Sequence, residues 1–85
     1  MLIIGKRWRD QYGNQYHTVL VNCNGSELRS GVTYGYGDQY LVTAHKLLRD
    51  AGLFAGDYSN FVGHLRKRPA AHHVEVIDVA RRRDL

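Results

Sequence analysis

Gly35 and Gly37 stand between a strand-like segment and an amphipathic helix, in Val32-Thr-Tyr-Gly-Tyr-Gly-Asp-Gln-Tyr-Leu41. Backbone N–H groups at such a junction can cradle a phosphate. The local pattern argues against that use. A dinucleotide fingerprint needs a third glycine where Tyr40 stands, and Asp38 puts a carboxylate at the helix start. The glycines read instead as a tight turn and a place of close packing. The histidines offer little more. His72 and His73 are adjacent, so on a strand they point to opposite faces. His17 and Cys23 share a strand face but lie six residues apart, roughly 20 Å, too far for a nucleophile and its base. His45 and His64 sit singly on helices. Nothing has zinc-site spacing. Neither a metal nor a cofactor is expected, and no catalytic signature emerges.

Tyrosine is the enriched residue: Tyr12, Tyr16, Tyr34, Tyr36, Tyr40 and Tyr58. Tyr40 and Tyr58 fit helix stripes and read as core. Tyr34 and Tyr36 fall on the core-facing parity near the end of the sheet. Tyr12 lies in a turn and Tyr16 on the outer face. Amphipathic rings beside arginines suit protein interfaces and can also stack on bases. The plainer reading of any one ring is packing at the rim of a core. Two basic clusters stand late in the chain. Arg66-Lys67-Arg68 closes a helix, where cations complement the dipole. Arg81-Arg82-Arg83 lies among the last residues. Either cluster alone reads as a solvated end.

These side chains must be positioned by a small number of elements. Residues 2–9 read as a first strand, and Tyr12-Gly13-Asn14 as a turn. Residues 15–23 alternate as a second strand. Asn24-Gly25 is a strong hairpin signal, because a type I′ turn needs positive φ at both central residues. Residues 26–36 read as a third strand. If Asn24-Gly25 is a two-residue loop, Cys23 faces Ser26, Val21 faces Leu28 and His17 faces Val32. If Gly13-Asn14 is another, Trp8 faces Val19 and Ile4 faces Cys23. Both turns then put Leu2, Ile4, Trp8, Val19, Val21, Cys23, Leu28 and Val32 on one apolar face. A one-residue slip would invert every side chain. The opposite face would carry Arg7, Arg9, Gln11, Tyr16, Thr18, Leu20, Glu27, Arg29 and Thr33. His17 opposite Asp10 reads as a cross-strand polar pair.

Asp38 is the expected N-cap of a helix over 39–51. Its stripe is Tyr40, Leu41, Ala44, Leu47, Leu48 and Ala51, ending at Gly52. A second helix, capped by Asp57 or Ser59, places Tyr58, Phe61, Val62 and Leu65 on one side and stops before Pro69. Residues 72–79 form a last strand, whose place in the sheet does not follow from the sequence. The expectation is one α+β domain over residues 1–85, with an antiparallel sheet in βββααβ order and its helices packed on one face.

Composition bounds the rest. The chain is 44% hydrophobic and 24% charged, an ordinary balance for a folded domain. At 85 residues it buries only about 60–65% of its unfolded surface, so its core is small. Cys23 is alone, which fits a reducing compartment. No segment reads as a signal peptide or approaches the ~20 apolar residues that span a bilayer. The expected location is cytoplasmic, with no membrane partner. The formal charge is +4, and residues 61–85 carry a net +3 of it. Such an excess attracts nucleic acid or an acidic protein, and it also keeps a small domain soluble.

The run Arg7-Trp8-x-Asp10-x-Tyr12-Gly13-Asn14-x-Tyr16-His17, followed by Tyr34-Gly-Tyr-Gly-Asp-Gln-Tyr40, resembles a group of small bacteriophage and prophage proteins. The resemblance spans about the first fifty residues. It implies no established activity and carries over no functional residue. Many phage proteins of this size act by occupying a host surface, some as inhibitors of host defence. The expectation is therefore a non-enzymatic interaction module of phage type, acting on a host or phage protein in the host cytoplasm. Its expected surface is Arg7, Arg9, Tyr12, Tyr16 and Arg29. The alternative is a sequence-tolerant nucleic-acid binder that adds Arg66, Lys67, Arg68, Arg81, Arg82 and Arg83. Basic residues converging in one stripe would favour nucleic acid, and a mixed aromatic patch would favour protein.

Overall fold

A computed structural model describes all 85 residues. The strands are β1 (Leu2–Arg9), β2 (Gln15–Cys23), β3 (Ser26–Arg29), β4 (Thr33–Tyr34) and β5 (His73–Asp78). The helices are α1 (Gln39–Asp50) and α2 (Tyr58–Lys67), and short 3₁₀ turns cover Pro69–Ala71 and Arg82–Asp84. The α+β class is as expected. The sheet, however, is mixed, in the order β3-β2-β1-β5, with β4 also on β2. The last strand joins β1 in parallel, Leu2 opposite His73 and Arg7 opposite Asp78. The chain can reach that position because α1 and α2 carry it back along the sheet, the kind of long connection a parallel pair requires.

The second hairpin follows the sequence closely. Asn24 and Gly25 both have positive φ, 51° and 82°, and Val21 stands opposite Leu28. The first does not. Trp8 pairs with Tyr16 and Ile3 with Val21, three positions from the expected register. Asp10 is the cause. Its carboxylate accepts from the Tyr12 and Asn14 amides, each at 2.9 Å, and from the Asn14 side chain. Its own N–H donates to the Asn14 carbonyl, and Gly13 adopts φ 83°. These bonds build a longer loop over residues 10–14, and the odd shift turns β1 over. Ile3 and Gly5 are therefore the buried residues of β1, while Leu2, Ile4 and Trp8 face outward. Arg7 and Arg9 move to the helix-side parity.

The expected third strand is also interrupted. Leu20 stands opposite Arg29, but His17 stands opposite Thr33 rather than Val32. One extra residue has entered, as in a β-bulge. Ser30 makes the break tolerable: its Oγ accepts from the Val19 N–H while its own N–H donates to the Val19 carbonyl, both at 2.9 Å. Past the bulge the faces exchange. Val32 is exposed, and Tyr34 and Tyr36 leave the core side.

The core is Ile3, Val19, Val21, Cys23, Tyr40, Ala44, Leu48 and Phe61. It lies between the sheet and α1, with α2 adding Phe61 from the side. Asp57 caps α2 in a capping box with Asn60. Gly52, at φ 73°, closes α1: the Gly52 and Leu53 amides donate back to the Arg49 and Leu48 carbonyls, a Schellman ending. The expected Asp38 cap does not form. Asp38 occupies the position with φ −88° and ψ 14°, and its side chain makes no cap bond. That backbone is not the extended conformation a cap needs, and the Leu41 amide, which such a cap would take, is already bound to the Asp38 backbone carbonyl.

Candidate protein-interaction face

Helices cover only one face of the sheet. On the other, the register brings Trp8 of β1 opposite Tyr16 of β2, and Tyr16 opposite Tyr34 of β4. Cross-strand partners share a face, so the three rings form a row across the sheet. Trp8 and Tyr16 stack with centroids 5.8 Å apart. Tyr34 meets Tyr16 edge-on at 5.5 Å, and Tyr36 meets Tyr34 edge-on at 5.4 Å. These are favoured aromatic geometries. The Tyr34 hydroxyl donates to the Tyr36 hydroxyl at 2.9 Å, which in turn donates to Asn14 Oδ1. That bond holds the Tyr34 proton and raises its pKa above the usual phenol value. Tyr34 and Tyr36 remain about half exposed.

Beside the row runs an aliphatic strip. Ile4, Leu20 and Ile77 line a groove of about 380 Å³, with Lys6 and Arg29 at its margins. The tail after β5 returns over this face. Leu85 lines the same groove, and the Arg82 guanidinium sits 5.9 Å from the centre of the Tyr16 ring. At an exposed site such a cation–π contact contributes about 0.5–1 kcal/mol.

The expected surface residues divide. Tyr16 and Arg29 lie on the outer face, and Tyr12 projects from the first loop, largely exposed. Arg29 pairs only loosely with Glu27, at 3.4 Å. Arg7 and Arg9 do not share that face, because β1 is inverted. Arg7 grips Asp78 with two bonds, of 2.8 and 3.1 Å, and donates a third to the Gly37 carbonyl. The pairing holds the Asp78 carboxyl below its ordinary range and the arginine above its own. Arg7 thus ties β5 and the α1 entry to β1. It borders a cleft of about 500 Å³ with Arg9, Gln15, Tyr36 and Val79. Of the arginines there, Arg9 is the one without an ion-pair partner.

The two basic clusters do not converge. Arg66, Lys67 and Arg68 are exposed at the end of α2, in the helical layer, while Arg82 reaches the outer sheet face. The histidines are tied into the packing. His17 is buried, with Nε2 2.6 Å from the Thr43 hydroxyl, and lies opposite Arg7 rather than Asp10. Burial pushes its pKa down, against a backbone hydrogen bond at Gly35 that raises it. His45 Nε2 must donate to the Gly56 carbonyl, 2.8 Å away, since a carbonyl only accepts. Its ring packs among Phe54, Tyr58 and Phe61. Gly35 and Gly37 serve packing and turning: a β-carbon at Gly35 would meet Gln39 Cβ at 2.7 Å, and Gly37 has φ 57°.

Sequence reasoning missed Trp8, Tyr34, Ile4 and Ile77 as surface residues, because all four lie beyond the bulge, on the inverted strand or on the unplaced one. The signal that would have found Trp8 is Asp10, whose spacing to Asn14 suits a side-chain-closed loop. No protein-family model, no curated protein and no solved structure matches this chain.

Proposed function

We propose that this domain is a non-enzymatic module that docks a protein partner on the helix-free face of its sheet. The observation that carries the reading is the aromatic row Trp8–Tyr16–Tyr34 beside the aliphatic strip of Ile4, Leu20 and Ile77. Aromatic and aliphatic side chains with a thin polar margin have the composition of an interface core. The sheet residues of this face carry both signs of charge: Lys6 and Arg29 against Glu27 and Glu75. A phosphate-binding surface would be predominantly basic. The bacteriophage resemblance adds the setting, a host or phage protein met in the host cytoplasm, with inhibition of a host defence protein as one form of such binding.

The test is capture from nuclease-treated bacterial lysate. A protein partner should survive the nuclease, be lost with Tyr16→Ala and Leu20→Asp, and be retained when Arg66, Lys67 and Arg68 are all changed to Ala. The second reading, a nucleic-acid binder, draws on Arg82 lying over Tyr16, since bases stack on such rings. Titrating a labelled duplex and a labelled single strand at two salt concentrations separates the two. Tight binding with a slope near −0.9 per phosphate contact on duplex, or about −0.7 on single strands, would replace the protein reading.

A further inference from the structure

The groove beside the aromatic row has a chemistry of its own. Its apolar walls are the aliphatic side chains of Ile4, Leu20, Ile77 and Leu85, and no aromatic residue lines it. Its charged side chains are Lys6 and Arg29, and no Asp or Glu side chain lines it. Lys6 has no ion-pair partner, and Arg29 shares its charge only with an exposed Glu27 at 3.4 Å. Leu85 is half-buried there, delivered by the 3₁₀ turn at Arg82–Asp84. The chain thus places one of its own aliphatic side chains along a groove whose rim is cationic.

Resting on the reading of this face as a protein-docking surface, we propose that the groove takes an acidic peptide segment. The segment would insert one aliphatic side chain between Ile4, Leu20 and Ile77 and set carboxylates against Lys6 and Arg29. Leu85 holds the site in cis and is displaced when the segment binds. A nucleobase finds no aromatic plate in the groove. The open volume of about 380 Å³ lies within the roughly 300–1,000 Å³ of typical ligand sites.

The probe is a fluorescein-labelled acidic hexapeptide with one central leucine, followed by anisotropy on the full chain. One control replaces the leucine by serine, and another replaces the acidic residues by lysine. Only the acidic leucine peptide should bind, and added salt should weaken it. Leu85→Ala should tighten binding by about three- to tenfold, because the groove is then open a larger fraction of the time. Arg29→Glu, a change at an exposed position, should weaken it by about fivefold. Equal binding of the serine peptide, indifference to both substitutions, or no binding to either the wild-type or the Leu85→Ala chain would overturn the proposal. So would concentration-dependent self-association that Leu20→Asp abolishes. If the peptide fails while nuclease-resistant capture still depends on Tyr16, the groove assignment alone falls. If capture is also indifferent to Tyr16 and Leu20, the docking face falls with it.

Discussion

Tyr40 lies directly on Gly5. A β-carbon at Gly5 would come 2.6 Å from Tyr40 Cδ2 and 2.8 Å from Cγ. The missing side chain in β1 is the seat on which the first turn of α1 rests. Gly5→Ala forces the ring or the helix away and should cost about 1–3 kcal/mol, as overpacking does. Urea denaturation of the two chains measures it. A midpoint within error of wild type would mean that Tyr40 moves freely.

The two helix starts should respond differently to loss of their aspartates. Asp57 accepts from the Asn60 amide at 2.8 Å, so Asp57→Ala should cost about 0.5–2 kcal/mol. Asp38 makes no such bond, and Asp38→Ala should leave the thermal midpoint close to wild type. The same melting experiment on both variants checks the contrast.

Acidification should destabilise the domain in a defined window. His17 is pushed below its ordinary value of 6.5 by burial. His72 is lowered by burial, then by the Met1 ammonium and His64. The unfolded chain therefore binds protons first, and stability falls as pH drops below about 6.5. Asp78 is lowered by Arg7, and its contribution is lost only at more acid pH, below the ordinary carboxylate range. Denaturation midpoints at steps from pH 7.5 to pH 4 should decline first in the imidazole range. His17→Gln should flatten that first decline.

Asp10 should hold the register of the first hairpin. Asp10→Ala removes the acceptor of the Tyr12 and Asn14 amides and with it the side-chain closure of the loop, so it should lower the denaturation midpoint. Tryptophan fluorescence reports the local consequence, because Trp8 borders the loop and stacks on Tyr16. An unchanged emission and midpoint would show that backbone bonds alone fix the loop.

What the sequence disclosed depended on where local chemistry governs. The type I′ turn at Asn24-Gly25, the Gly52 ending and most of the stripes of α1 and α2 rest on local chemistry and are found where expected; in α1, however, Ala51 is exposed and His45 is buried in the stripe. The first hairpin contained two competing local signals. Gly13-Asn14 looks like a two-residue turn, yet Asp10 supplies enough acceptors to build a longer one. That single choice moved Arg7 and Arg9 off the expected surface and brought Trp8 onto it. The bulge at Ser30 is similar, since a serine hydroxyl replaces a ladder bond without any alternation being lost before it. The parallel seat of β5 is a long-range pairing, and no local pattern encodes it. Of the expected interaction residues, Tyr16 and Arg29 kept their face because they stand on the strands whose turn was read correctly.

Arg7 and Asp78 are 71 residues apart, and the parallel β1–β5 ladder they close is the longest-range pairing in the sheet. Its timing differs from that of the hairpins, which zip within about 1–10 μs. The parallel pair must wait for both helices to bring the chain back, and loop-closure entropy makes such pairing slow. During synthesis the β1 edge stays open until β5 leaves the ribosome. For that interval the nascent chain presents an unpaired strand, Leu2–Arg9, to any neighbour able to add to it.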